Sequence, residues 1–241
     1  MDAGLMSNLA ESIAVVTGAS RGIGFEIAKR LAAEGTEVVL VARDAESLRR
    51  ARKNIPGKTL TIAADVTSSR DVSRLFRRIK KLYGHLDIMV NCAGIFTYKP
   101  FRETTLEDWR DNIETNLTAL FLTTQAALPL LVSAEHAHMV NILSVSSSRT
   151  FANCSAYTAS KFGALGLTRV LRKELRAQGI RVTAIMPGLT DTQMLDEFGF
   201  EISRDNVMQP ADVADAVIAA LRQPERTAVE EIFLMPSSGA V

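Results

Sequence analysis

The most chemically suggestive stretch of the chain is SAYTASKFGAL, residues 155 to 165, where Tyr157 and Lys161 stand four positions apart. In a helix such positions lie one above the other, so a phenol and an ammonium share a face. At an effective dielectric of about 20, unit charges about 4 Å apart interact by about 4 kcal/mol, and one pKa unit is about 1.4 kcal/mol. The pairing therefore predicts a phenol about two or three units below its ordinary value of about 10, closer to what a general acid or base needs at working pH. A tyrosine and a lysine on a solvated helix face are the plain alternative. Ser144, thirteen residues upstream at the end of a strand pattern, and a glycine turn near the start of the chain argue for chemistry.

That turn lies in IAVVTGASRGIGFEIAKRLAAEG, residues 13 to 35, which reads strand, glycine turn, amphipathic helix. A turn placed directly after a first strand delivers backbone N–H groups and the positive end of a helix to one spot, which suits a pyrophosphate. Gly18 permits the tight turn, Gly22 lets backbone approach phosphates, and Gly24 lets the helix lie close on the strand. The spacing is GxxxGxG rather than GxGxxG, so the strand and helix around it carry most of the weight. The second strand ends VVLVAR. A carboxylate at that end would bind a ribose diol, whereas Arg43, with Arg21 from the turn, suits a 2′-phosphate and predicts NADP(H). An ion pair between Arg43 and Asp44 is the structural alternative.

The elements that must position these groups alternate short apolar runs with helical patterns, the signature of βαβ units. Strands are expected at 13–17, 37–41, 59–63, 88–91, 139–143, 181–185 and 229–234. Their apolar character predicts burial on both faces. The fold class is therefore α/β, a Rossmann-like doubly wound parallel sheet of about seven strands with helices on both faces. Residues 1–12 read as a flexible segment and 13–241 as a single domain. Within it, residues 188–209 form a long irregular stretch holding Leu189, Met194, Leu195, Phe198, Phe200 and Met208, expected to be a substrate-binding loop. The densest basic run, RLFRRIKKLYG (74–84), reads as a solvated helix whose Leu75, Phe76, Ile79 and Leu82 face inward.

Composition narrows the function further. The 28 basic and 27 acidic residues nearly cancel, so neither a nucleic acid nor a membrane surface is expected as a partner. Cys92 and Cys154 form no CxxC pair, and no targeting signal or membrane span is visible, which points to the cytoplasm. His85, His136 and His138 lack partners at ligand spacing, so no metal is expected. In a doubly wound sheet the ligand lies at the carboxyl ends of the strands. Those ends read NCAG (91–94), ILSVSSS (142–148) and MPGLTDT (186–192).

TGASRGIG, NCAG, the Ser144 to Tyr157 spacing, YTASK and PGLTDT, all in this order, resemble the short-chain dehydrogenase/reductase family over about residues 13–192. The resemblance implies hydride transfer between NAD(P)H and a carbonyl or alcohol. Tyr157 would be the general acid or base, Ser144 would bind the substrate oxygen, and Lys161 would hold the nicotinamide ribose and lower the tyrosine pKa. Asn116 would hold a water in a proton relay. It further implies Gly18, Ser20, Arg21, Ile23 and Gly24 at the phosphates, Arg43 at the 2′-phosphate, and Asp65 and Val66 at adenine. Asn91, Ala93 and Gly94 would lie along the ribose, and Pro187, Gly188, Thr190 and Thr192 near the nicotinamide amide. A homodimer or homotetramer that pairs the Asn116 and Tyr157 helices is implied as well.

Two motif departures leave this intact: NCAG stands for NNAG, and Thr190 stands where an aliphatic residue is common. The ending EEIFLMPSSGAV lacks the VNGG-like close of the family's 3-oxoacyl-carrier-protein reductases, so a hydrophobic ketone competes with a 3-oxoacyl thioester as substrate. Phe96, Phe151, Cys154, Met186, Met194, Leu195 and Phe198 are the expected pocket lining. The alternatives to an NADP(H)-dependent carbonyl reductase are an NAD-dependent alcohol dehydrogenase of the same family and a non-catalytic nucleotide-binding regulator.

Overall fold

The computed structural model describes residues 7–199 and 202–239. Phe200 of the expected loop lies outside the described residues. The described residues form a seven-stranded, wholly parallel sheet. Its strands are β1 (Ile13–Thr17), β2 (Glu37–Ala42), β3 (Thr59–Ala63), β4 (Ile88–Asn91), β5 (His138–Ile142), β6 (Arg181–Pro187) and β7 (Glu231–Leu234). They lie in the order β3-β2-β1-β4-β5-β6-β7. The order reverses between β1 and β4, which opens a crevice at their carboxyl ends.

Alternate residues of β1, β2, β4 and β5 feed two cores, while Ala184 and Met186 of β6 join a third, smaller one. Ala14 and Val16 of β1 pack with α1 (Gly22–Ala33), α2 (Ala45–Lys53) and α7 (Pro210–Leu221). Ile13 and Val15 pack on the other face with α3 (Ser69–Tyr83), α5 (Ala119–Leu131) and the end of α6 (Ser155–Leu175). The central strands are buried along their whole length, as their composition predicts. The remaining helix, α4 (Leu106–Ile113), packs on α6.

Two expectations change. From Ser7 onward the expected flexible segment is fastened to the body: Ser7 donates through its backbone N–H to Arg222 O at 2.9 Å and through its hydroxyl to Gln223 O at 2.7 Å. Leu9 is buried in the core and its carbonyl accepts from Thr36. In α3, Leu75, Phe76 and Ile79 are buried as expected, but Leu82 is 53% exposed. The helix ends at Gly84, one residue after Tyr83, before Leu82 completes another inward turn.

Candidate active site

The floor of the crevice is set by backbone proximity. Gly18 has φ +67°, and a Cβ on it would lie 3.0 Å from the Ala93 backbone. A Cβ on Gly24 would lie 2.5 Å from Gly18 O, so only glycine lets α1 start this close to β1. Thr17, at the end of β1, binds the two walls together: its Oγ1 accepts from Cys92 N at 2.9 Å and Ala93 N at 3.2 Å. Ala19 N donates to Val41 O at 3.1 Å, fixing the glycine turn to the end of β2.

Arg43 is exposed at that end and has no carboxylate partner among the described residues. The alternative of an Arg43–Asp44 ion pair does not hold, because Asp44 caps α2, accepting from Glu46 N, Ser47 N and the Ser47 hydroxyl. These bonds hold its carboxyl below the ordinary carboxylate range. Arg21 donates to Gln193 of the 188–209 segment, and Thr192 packs against Gly22. The segment thus begins against the glycine turn.

A polar ladder lies beneath the floor. Asn91 and Asn141 are paired in register across β4 and β5, and Asn91 Nδ2 donates to Asn141 Oδ1 at 2.9 Å. Thr123 of α5 donates to Asn91 Oδ1 at 2.7 Å, and Asn141 donates to Thr168 of α6 at 3.0 Å. The Asn91 side chain therefore faces the helices, leaving only its backbone toward the crevice. Every member has a partner, as buried amides require.

Ser144 follows β5 in extended backbone; its Oγ accepts from Ser146 N at 3.1 Å, and its hydroxyl stands close enough to the Tyr157 phenol to favour the phenolate. Tyr157 and Lys161 share a face of α6 and are 7% and 5% exposed. The expected acidification of the phenol is not found. Burial pushes Tyr157 up to about 12, with the Ser144 hydroxyl acting in the opposite direction. The ammonium does not offset this: its Nζ lies over the ring face, 5.6 Å from the centroid, and donates to Ile142 O at 3.4 Å. Burial in turn brings Lys161 down to about 8, with Cys92 acting weakly the other way. Desolvation outweighs the pairwise attraction for both groups.

Asn116 lies in a π-helical turn, Glu114–Thr118, between α4 and α5. Its side chain is fully engaged: Oδ1 accepts from Ile95 N at 2.9 Å, while Nδ2 donates to Ile95 O and to Ser160 Oγ, both at 3.0 Å. Asn112 donates to Thr97 Oγ1 at 2.7 Å. These two asparagines clamp Ile95 and Thr97, and between and beyond them stand Phe96 and Tyr98. Phe96 meets Tyr157 edge-on, centroids 4.8 Å apart at 88°. Phe198 lies 4.9 Å from Phe96 and 5.0 Å from Tyr98.

Of the expected pocket lining, Phe96, Cys154 and Phe198 gather around Tyr157 or its neighbours. Met186 does not: it is fully buried and packs with Leu143, Ala164 and Leu165. Phe151 borders a surface depression with Thr150, Ser155, Thr158, Ala159 and Phe162 instead. Asp65 accepts from Thr67 N and Oγ1 in a local turn, and Val66 borders the floor beside Ala93. Thr190 turns its hydroxyl to Gly188 O, and Thr192 caps the short helical turn Gln193–Phe198. Thr17, Ser160, Tyr98 and Gln193 were not expected. A threonine closing an apolar strand and a serine inside YTASK were visible signals; Tyr98 and Gln193 carried none.

The residues present fit a phosphorylated dinucleotide. Small residues line the β1–β4 crevice, Gly94 lies so close to Lys161 that a Cβ would sit 3.6 Å from Nζ, and two exposed arginines flank the glycine turn. Among the described residues there is no cluster of potential metal ligands, and no helix is long and apolar enough to cross a membrane.

The comparisons agree with this geometry. The profile described as short chain dehydrogenase matches residues 12–201. An uncharacterized oxidoreductase of Staphylococcus saprophyticus is 36% identical over 235 residues, covering 96% of this chain and all of the relative. One from Staphylococcus aureus is 34% identical over 232 residues, with the same coverage. Among solved structures, a metagenomic short-chain oxidoreductase in complex with NADP superposes with a TM-score of 0.84 at 32% identity. An alcohol dehydrogenase from the archaeon Thermococcus sibiricus, complexed with 5-hydroxy-NADP, superposes with 0.89 at 26% identity. Each alignment covers 96% of this chain and 99% of the other. A parallel sheet reversing at β1 and β4, a glycine turn packed on Ala93, and Ser144, Tyr157 and Lys161 gathered at the crevice accompany these matches, and the chain belongs to the short-chain dehydrogenase/reductase family.

Proposed function

We propose that the chain is an NADP(H)-dependent oxidoreductase that reduces a carbonyl to an alcohol with Tyr157 as proton donor. The observation that carries this reading is a buried phenol, with the Ser144 hydroxyl beside it and Lys161 over its ring, at the mouth of the crevice. The NADP and 5-hydroxy-NADP complexes of the two superposed structures and the unpaired Arg43 support the choice of cofactor. Gly18, Ser20, Arg21, Ile23 and Gly24 would hold the pyrophosphate, and Arg43 with Arg21 the 2′-phosphate. Asp65 and Val66 would border adenine, the backbone of Asn91, Ala93 and Gly94 the ribose, and Pro187, Gly188, Thr190 and Thr192 the nicotinamide amide.

When bound, the reduced nicotinamide supplies a hydride to the carbonyl carbon. Ser144 and Tyr157 present two hydroxyl donors to the oxygen on which charge develops, and Tyr157 gives it its phenolic proton. A phenol held up at about 12 is protonated at neutral pH and so carries the proton that reduction consumes. Lys161 lies behind it, where its ammonium would stabilise the phenolate left by proton transfer and hold the ribose. Asn116 acts through the segment it clamps, keeping Ile95 and hence Phe96 in place.

The test is NADPH oxidation with a panel of ketones and 3-oxoacyl thioesters, comparing the wild type with Tyr157→Phe. A fall of about 10²- to 10⁴-fold in kcat/KM is expected from loss of the proton donor. Undiminished turnover in the variant would reject the mechanism.

The same reading includes self-association. Trp109, Phe121 and Phe162, on α4, α5 and α6, are each more than 40% exposed, an apolar set that a homodimer or homotetramer would cover. Light scattering that returned a monomer mass at micromolar concentration would reject it.

A further inference from the structure

We propose that the substrate is an uncharged aryl ketone, and that Phe96, Tyr98 and Phe198 select it; this rests on the carbonyl-reductase reading above. The wall beside the phenol is made of rings from two separate segments. Phe96 stands perpendicular to Tyr157, and Phe198 tilts against both Phe96 and Tyr98, at 42° and 43°. Phe96 and Tyr98 themselves are 6.3 Å apart at 33°. A flat ring attached to the carbonyl would meet edges and faces at the separations aromatic pairs prefer, whereas a saturated chain gains only buried area. A long acyl chain would also lose rotamer freedom that a ring does not have.

The wall is rigid where it matters. Asn116 and Asn112 clamp the residues on either side of Phe96, and Asn153 donates to the Tyr98 hydroxyl at 3.0 Å. Asn153 stands in left-handed backbone, φ +63°, and its carbonyl accepts from Lys99 N at 2.8 Å. The cations that flank the three rings in sequence are already ion-paired. Lys99 pairs with Asp108 at 2.7 Å, Arg102 with Glu103 at 3.2 Å, and Arg204 with Asp191 and Asp196. A carboxylate or phosphate on the substrate would compete with these pairs rather than find a waiting partner.

The experiment compares acetophenone with cyclohexyl methyl ketone, which share a carbonyl and a six-membered ring and differ in aromaticity. Conjugation makes the aryl ketone the less electrophilic, so a preference for it must come from the protein. In the wild type with NADPH, kcat/KM is expected to favour acetophenone by about tenfold or more, from several ring contacts together. Phe198→Leu should lower that ratio by about threefold to tenfold, the worth of one ring pair. NADPH affinity and the thermal midpoint check that the variant folds, and Tyr98→Leu serves the same purpose should Phe198→Leu not fold. A wild-type ratio near one, a ratio unchanged by substitution, or turnover of other carbonyls but of neither ketone overturns the proposal and leaves the reductase reading standing. Absence of NADPH oxidation with every carbonyl rejects the reductase reading itself.

Discussion

The crevice has two halves built by different means. On the glycine-turn side the shape is made by main chain: Gly18 against Ala93, Gly24 against Gly18 O, and a threonine hydroxyl accepting two backbone N–H groups. On the ring side it is made by side chains, Phe96, Tyr98 and Phe198, mounted on segments that asparagines and short helical turns hold in place. A main-chain surface tolerates almost no added atom. A side-chain surface changes its chemistry one residue at a time while the scaffold stays. On the proposed reading the difference matches two tasks: one half would meet the same dinucleotide every time, while the other would define which carbonyl is accepted.

The sharpest way to break this contrast is Gly24→Ala. Its new Cβ would meet a backbone carbonyl that cannot rotate away, so a loss of about 3 kcal/mol is expected, at the upper end for overpacking, with NADPH binding lost as well. Chemical denaturation and fluorescence titration would check both. A variant with wild-type stability would show that the turn is softer than drawn.

Lys161, at the seam of the two halves, gives the next effect. Its folded value of about 8 lies below its unfolded value, so between about pH 8 and 10.5 the unfolded chain holds the extra proton. The lysine's contribution to stability is therefore present above that range and lost as pH falls through 8. Measured by denaturation across this window, the stability of wild type relative to Lys161→Met should rise with pH by up to about 3 kcal/mol. A flat difference would mean the ammonium is better solvated than its burial implies.

At the rim of the main-chain half, Arg43→Ala should weaken NADPH binding by about tenfold, or about 1.5 kcal/mol, while leaving NADH unaffected. Equal losses for both dinucleotides would assign Arg43 to the fold rather than to a 2′-phosphate.

The contrast also explains what could be read in the sequence. Strand positions, the glycine turn and the Ser144, Tyr157 and Lys161 group were legible because they depend on local pattern and on spacing along one helix. Depth was not. Four-residue spacing says that Tyr157 and Lys161 share a face, but not that both are nearly sealed from water, and desolvation reversed the expected shift of the phenol. Asn91 was placed correctly along the chain, yet its side-chain direction follows from the register with Asn141, which only the assembled sheet fixes. Met186 at a strand end looked like lining and is core, because β6 stays covered through Pro187. Tyr98 lies in a segment without period, and its role arises from contact with Phe198, one hundred residues away.

The cap of α2 carries a consequence for redesign. Asp44 cannot neutralise Arg43 because its oxygens are spent on Glu46, Ser47 and the Ser47 hydroxyl. The free positive charge at the end of β2 is therefore a by-product of how a neighbouring helix begins. Removing Asp44 would loosen α2 and leave Arg43 as it is, whereas a carboxylate in place of Arg43 would stand next to the cap and repel it. An engineer who wished to retune coenzyme preference would have to rewrite the start of the helix along with the arginine.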